Sequence, residues 1–273
     1  MEITKTKNSL FYLYGLIPTA ELGKKKLGSL VGIDNRHEIY LLKIANVTAL
    51  ICELDEEEFS EKIIEEKVKH DMAWLEEKAF HHHQILEKIH QHFTLIPLKF
   101  CTIYKNEENI IQSIKNENKR FEKLFETISN KEEWNVKVYC DDPKVKKEIV
   151  ENSSTIKKEE ESLQDLSPGK QFFAKKKLQQ KMDEMIVTAK REYCEDIHQQ
   201  IVVFCDDSEI KRNWNQEMSG RKQDMNWNAV YLVNKDDQEL FMKRLKELHN
   251  RYIGFGFTIE WTGPWPCYHF ANL

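Results

Sequence analysis

The 273-residue sequence predicts an α+β fold in two domains, and three observations carry that expectation. Stretches with apolar residues at every second position stand at Trp134–Cys140 and Phe255–Trp261, the pattern of strands with one buried face. Elsewhere run long segments whose apolar residues recur three and four apart, the pattern of amphipathic helices. In the second half the elements fall in the order β-α-β-β-α-β, the split βαβ, ferredoxin-like plan. The expected division is an α+β N-terminal domain over 1–131, a ferredoxin-like domain with an extended helical insertion over 132–262, and an aromatic tail over 263–273. That tail is expected to pack back on the N-terminal domain.

Phe11 to Ile17 reads as the first strand. It lies within LFYLYGLIP, which is short for a secretory signal core and carries two tyrosines. A linker rich in Gly and Lys follows (Gly23 to Gly28). Ile39–Ile44 and Val47–Leu54 then read as a hairpin turning at Ala45-Asn46. Asp55 to Glu58 suit a helix start, where negative charge meets the positive end of the dipole. One long helix is expected from Glu65 to Phe93, with Val68, Met72, Leu75, Ala79, His82, Leu86, Ile89 and Phe93 in a single stripe. Thr94 to Tyr104 is an extended segment interrupted by Pro97. A second long helix is expected from Glu107 to Asn130, turning Ile110, Ile114, Phe121, Leu124, Phe125 and Ile128 inward.

In the second half, Trp134, Val136, Val138 and Cys140 alternate with Asn135, Lys137 and Tyr139. Asp141-Asp142-Pro143 opens a helical region reaching Gln200, broken at Ser167-Pro168-Gly169. Before the break Val145, Ile149, Ile156 and Leu163 are sparse among Lys and Glu, as in a solvated helix. After it Phe172, Met182, Met185, Ile186, Ala189 and Tyr193 mark an amphipathic helix. Strands are expected at Ile201–Cys205 and Met225–Val233. A helix over Asp236–Tyr252 would turn Leu240, Phe241, Leu245 and Leu248 inward. The closing strand places Phe255, Phe257, Ile259 and Trp261 on one face, and Gly263-Pro264-Trp265-Pro266 should end it. One sheet face would then carry Asn135, Lys137, Tyr139, Thr258 and Glu260, to be either solvated or covered by the first domain, with solvation as its ordinary state.

Composition narrows the function classes. Charged residues make up 32% of the chain, yet the net charge is only −5 and both signs are interspersed. Phosphate backbones want Lys and Arg clustered on one face, so nucleic acid is not an expected partner. Cysteines 52, 101, 140, 194, 205 and 267 are scattered without a CxxC, which reads as free thiols in a reducing cytosol. Cys52, Cys140 and Cys205 are expected inside strands. No run approaches the ~20 apolar residues of a membrane span. The expectation is a soluble cytoplasmic protein with no membrane partner.

Neither metal nor cofactor is expected. His81, His82 and His83 are adjacent on a helix, where neighbours diverge by about 100° and do not converge on one ion. His82 falls in the apolar stripe and reads as a hydrogen-bonded core histidine. Gly254-Phe255-Gly256-Phe257 resembles part of an RNA-binding RNP1 motif. However, Ile253 stands where that motif wants a cation, and the strand is the fourth and not the third. These aromatics read as core. No P-loop, GxSxG, HExxH or helix-opening GxGxxG is present, so no catalytic residues are assigned. The segment Asp206 to Asp224 is long for a hairpin connection and carries Trp214 among charged neighbours. It is either a short helix tucking Trp214 down or a binding loop with an aromatic anchor.

The fragments FYLYGLIP, HDMAWLEEKAFHHHQIL with TLIPLKFCTIY, EWNVKVYCD, SPGKQFFAKKKL, MNWNAVYLV and GFTIEWTGPWPCYHF, in that order, resemble the gas vesicle protein F/L family (GvpF/GvpL). The terminal GPWPxYxF is the most specific piece. The chain departs from the family in the Lys175-Lys176-Lys177 tract and the charged Lys144 to Gln164 segment, which bears on local surface contacts and not on membership. The resemblance implies an α+β domain followed by a ferredoxin-like domain, with no catalytic residues to carry over. It implies an accessory protein that associates with the major gas vesicle shell protein and with other vesicle accessory proteins, on or within the vesicle. Trp214, Trp265 and Tyr268 are the candidate partner-binding residues, because none belongs to a strand's core face. An enzyme or small-ligand sensor on the ferredoxin-like domain, and a minor structural wall component, are the competing classes.

Overall fold

The computed structural model describes residues 9–23 and 27–271. Lys24, Lys25 and Lys26 of the expected linker lie outside the described residues. The chain divides into two compact units, Met1–Glu133 with Pro264–Leu273, and Trp134–Gly263.

In the first unit β1 (Ser9–Pro18) sits inside a sheet ordered β2-β3-β1-β4, where β2 is Tyr40–Ile44, β3 is Val47–Asp55 and β4 is Ile96–Pro97. A short β5 (Ile103–Tyr104) also pairs with β1. β1 and β3 run antiparallel from Ser9 opposite Asp55 to Pro18 opposite Val47, with an irregularity between Leu13 and Gly15. Gly15 is required there: a Cβ would come within 2.7 Å of Leu95 Cδ1 and 2.9 Å of Ile96 O. The expected hairpin turn is found at Ala45-Asn46, with Ala45 in the left-handed region at φ 55°.

Helices cover this sheet. They are α1 (Glu56–Phe59), α2 (Glu61–His70), α3 (Met72–His90), α4 (Glu107–Asn116) and α5 (Asn118–Ile128). Asp55 caps α1 through a bond from the Glu57 amide, as its position suggested. The single helix expected over Glu65–Phe93 is two. Asp71 leaves the helical region (φ −129°, ψ 78°), and its carboxylate accepts from the Trp74 amide at 3.1 Å and from Lys67 Nζ at 2.8 Å. An N-cap formed inside the chain restarts the helix, so the expected stripe loses phase. His82, Leu86, Ile89 and Phe93 are buried, whereas Val68 and Met72 are exposed. The second expected helix is likewise divided, at Glu117 (φ −103°, ψ 8°). Its inward residues Ile110, Ile114, Phe121, Phe125 and Ile128 are buried as expected.

The second unit is built on β6 (Lys131–Cys140, entering from the first unit), β7 (Asp207–Ile210), β8 (Asp224–Asn234) and β9 (Phe257–Trp265), ordered β7-β8-β6-β9. Between β6 and β7 lie α6 (Asp142–Asn152), α7 (Ser154–Ser162) and α8 (Pro168–Val202). The short α9 (Gln216–Ser219) precedes β8, and α10 (Gln238–Tyr252) precedes β9. This is the β-α-β-β-α-β order, with the first and third strands central. Trp134, Val136, Val138, Tyr231, Phe241, Leu245, Phe257 and Ile259 form its core with Ile197 and Ile201.

Several boundaries are corrected. Ile201–Cys205 is not a strand; Cys194, Ile197 and Ile201 are buried at three- and four-residue spacing, which carries α8 through to Val202. The strand is the polar Asp207–Ile210, so Cys205 lies outside any strand. Leu240 and Phe172 are exposed and not inward. Gly263 and Pro264 do not end β9, which reaches Trp265. β9 is an edge strand, where a missing donor removes no ladder bond. At its start Gly256 adopts φ 92°, and Gly254 and Phe255 lie in a 3₁₀ turn, leaving Phe257 and Ile259 as the buried strand residues. The insertion is three helices, with the expected break falling at 163–167 just before α8: Asp141 caps α6, Ser153 caps α7, and Ile156 is buried against Leu178 and Met182.

Candidate partner-binding surface

Within the first unit the C-terminal tail lies on α3. Pro266 and Cys267 are buried, and Cys267 Sγ donates to the Lys131 carbonyl at 3.8 Å. The His269 amide donates to Glu133 Oε2 at 2.6 Å, and the Ala271 amide to the Cys267 carbonyl at 2.9 Å. His83 receives the aromatic part of the tail. Its Nδ1 and the Tyr268 hydroxyl are 2.8 Å apart, and its ring centroid is 5.2 Å from Trp265 and 6.0 Å from Tyr268. Burial is the main reason the Tyr268 phenol is held well above its usual range, with Glu87 and Glu133 adding to the effect.

The proline-bounded sequence explains this placement. Pro264 and Pro266 hold the backbone extended on either side of Trp265, so Trp265 and Tyr268 reach the same histidine. Both remain half-buried. Phe80 stands one helical turn before His83 and is 62% exposed. Met72, on the same face of α3, is exposed as well. Sequence reading missed Phe80 because it falls off the apolar stripe; an exposed aromatic three residues from His83 was the available signal. Carboxylates rim the patch. Glu76 and Glu77 are exposed beside Phe80, and the Glu77 carboxyl is held low mainly by its hydrogen bond from Lys78.

His82 has a structural role. Its Nδ1 lies 2.9 Å from the Tyr12 hydroxyl and its Nε2 3.2 Å from the Leu98 carbonyl. Both nitrogens are engaged, and burial lowers its pKa to about 4. Tyr14 stacks on the same ring at 5.6 Å. Among the described residues, no group of three or more His, Cys, Asp or Glu side chains is arranged to hold a metal ion. No helix of the described residues is long and apolar enough to cross a membrane.

Trp214 belongs to the second unit, in the segment that joins β7 to β8. A short helix does form in this segment, but it is α9 and begins two residues after Trp214. The Trp214 amide donates to Met225 Sδ at 3.3 Å, and Lys137 Nζ lies 3.8 Å from the ring centroid, yet the residue stays 40% exposed. Arg221 sits 4.7 Å over the Tyr139 ring and pairs with Glu260. This segment therefore covers part of the polar sheet face of Lys137, Tyr139 and Glu260, which was expected to be solvated. Burial, the largest effect, lowers the Lys137 pKa, and Glu260 opposes it.

Comparison with known proteins agrees with this architecture. A family model described as gas vesicle synthesis protein GvpL/GvpF matches residues 10–272. The chain is 20% identical to gas vesicle protein L of Streptomyces sp. (strain CB03234), over 85% of this chain and 83% of that one. It is 21% identical to gas vesicle protein L1 of Halobacterium salinarum (strain ATCC 700922 / JCM 11081 / NRC-1), over 95% and 89%. The crystal structure of GvpF from Anabaena sp. PCC7120 superposes with a TM-score of 0.71 at 19% identity, covering 97% of this chain and 99% of the other. That of GvpF from Microcystis aeruginosa gives 0.65 at 19% identity with the same coverage.

Proposed function

Because this chain belongs to the GvpL/GvpF family of gas vesicle synthesis proteins, we propose that it is a non-catalytic adaptor that binds the vesicle shell subunit during assembly. The family match across residues 10–272 is the observation that carries this reading. A wall subunit with a strongly apolar face aggregates if left unpartnered. A protein that holds such a face needs aromatic anchors on a firm backing, with affinity modest enough for release. Trp265 and Tyr268, set against His83 beside exposed Phe80, supply one such surface; Trp214 supplies a separate anchor in the second unit. Other vesicle accessory proteins are further partners in this proposal, and the place of action is the cytoplasm at the growing vesicle.

The test is capture of the purified full chain on immobilised shell subunit. Trp265→Ala, Phe80→Ala and Trp214→Ala are each expected to weaken capture about tenfold or more, with circular dichroism unchanged. Tyr268→Phe keeps the ring and loses the His83 bond, separating contact from support. Unchanged capture by all of the alanine variants would remove these residues as anchors.

A further inference from the structure

Two of the most exposed aromatic side chains in the molecule lie in the first turns of α8, far in sequence from the tail and from Trp214. Phe172 is 67% exposed and Phe173 is 73% exposed, their rings edge to face at 5.6 Å. Helical geometry explains why they have no cover. At about 100° per residue, Leu178 and Met182 lie on the side opposite this pair. Those two residues are buried against Ile156 of α7, so α8 spends its apolar side on its own unit and turns the phenylalanines outward.

Between Pro168 and Leu178 every charged side chain of α8 is a lysine. Lys176 projects between the two phenylalanines, while Lys175 and Lys177 flank them one turn on; Lys170 precedes Phe173 by three residues. All four lysines are exposed, and none makes an ion pair among the described residues. On the neighbouring turn Lys181 is already paired, with Glu159. In a chain of net charge −5, four unneutralised cations around an exposed aromatic pair form a local patch of opposite sign.

We propose that this patch is a docking site for an acidic segment of a partner protein, one that sets an apolar side chain between the phenylalanines and carboxylates over the lysines. Lysine stems cover apolar surface while their ammonium groups reach the carboxylates. An anionic lipid surface fits less well. Interfacial helices present a continuous apolar face, whereas this side of α8 is apolar only at the phenylalanine pair and within two turns passes to Gln180, Asp183 and Glu184; a lipid surface would extend over the carboxylates of Asp183 and Glu184, and a short acidic segment confined to the lysines would not. The site is independent of the shell-binding surface proposed above and does not rest on it.

The experiment uses the full chain and a fluorescein-labelled synthetic peptide with Glu and Leu at helical spacing, read by anisotropy. The controls are the same peptide with Gln for Glu, phosphatidylserine vesicles and an oligothymidylate. The acidic peptide is expected to bind in a salt-sensitive way, with the Gln version at least about tenfold weaker. Phe172→Ser with Phe173→Ser, and separately Lys175→Gln with Lys176→Gln and Lys177→Gln, should each weaken binding about tenfold without changing the melting temperature, since these side chains are exposed. Equal binding of the variants, no preference for the acidic peptide, or tighter binding to vesicles or the oligonucleotide would overturn the assignment.

Discussion

His82 is held between the Tyr12 hydroxyl and the Leu98 carbonyl in a site too dry for its cation. It is therefore neutral in the folded chain over most of the accessible pH range. Unfolding restores an ordinary imidazole near pH 6.5, so below that value the unfolded state binds the extra proton. Stability should fall as pH drops from about 6.5 toward about 4, by roughly 3 kcal/mol for this group alone, and should not depend on it above that window. His82→Asn keeps a donor and an acceptor without titrating. Urea unfolding between pH 4 and 7.5 should show a shallower slope for the variant; an identical slope would mean that other groups set the acid sensitivity. The core role of His82 was readable because it fell in phase with Leu86 and Ile89. The aromatic patch was only partly readable. Trp265 and Tyr268 were marked by the prolines around them, whereas Phe80 was assigned to no site.

At the level of elements, the strands and hairpin of the first unit were legible almost to the residue, since turn residues and apolar runs bound them closely. Where reading failed, either a local polar contact or core packing overrode the pattern read from the sequence. Asp71 broke a stripe that ran unbroken on paper, and the buried Ile197 and Ile201 drew an apparent strand into α8. Asp71→Ala should lose both the Trp74 cap and the Lys67 pair and lower the midpoint of chemical denaturation. A neutral result would assign the break to packing and not to the cap. Ala45 occupies a left-handed position at the start of a two-residue hairpin turn, a place that glycine fills without strain. Ala45→Gly is expected to raise stability by about 0.5–1 kcal/mol after the added freedom of the unfolded chain is deducted. A loss of stability would contradict that account of the turn.

For the molecule as a whole, the βαββαβ order of the second unit and the return of the tail to the first unit were both expected from the sequence. Alternation and proline placement are local signals that survive tertiary context. The covering of the polar sheet face by the Trp214 segment was not foreseen, because the cation–π contact of Lys137 and the ion pair of Arg221 join residues remote in sequence. Truncation after Thr262 removes Trp265, Cys267 and Tyr268 from their places against His83 and Lys131. It should lower the melting temperature by about 4 °C or more. No change would mean that the tail rests on the unit without stabilising it. The central claim, that this chain works by gripping a vesicle shell subunit with exposed aromatics, is tested most directly by hydrogen exchange with and without purified shell subunit. The account expects slowed exchange in Met72–His90, in 264–271 and in 211–223. Protection confined to other segments, or none at saturating subunit, would contradict it.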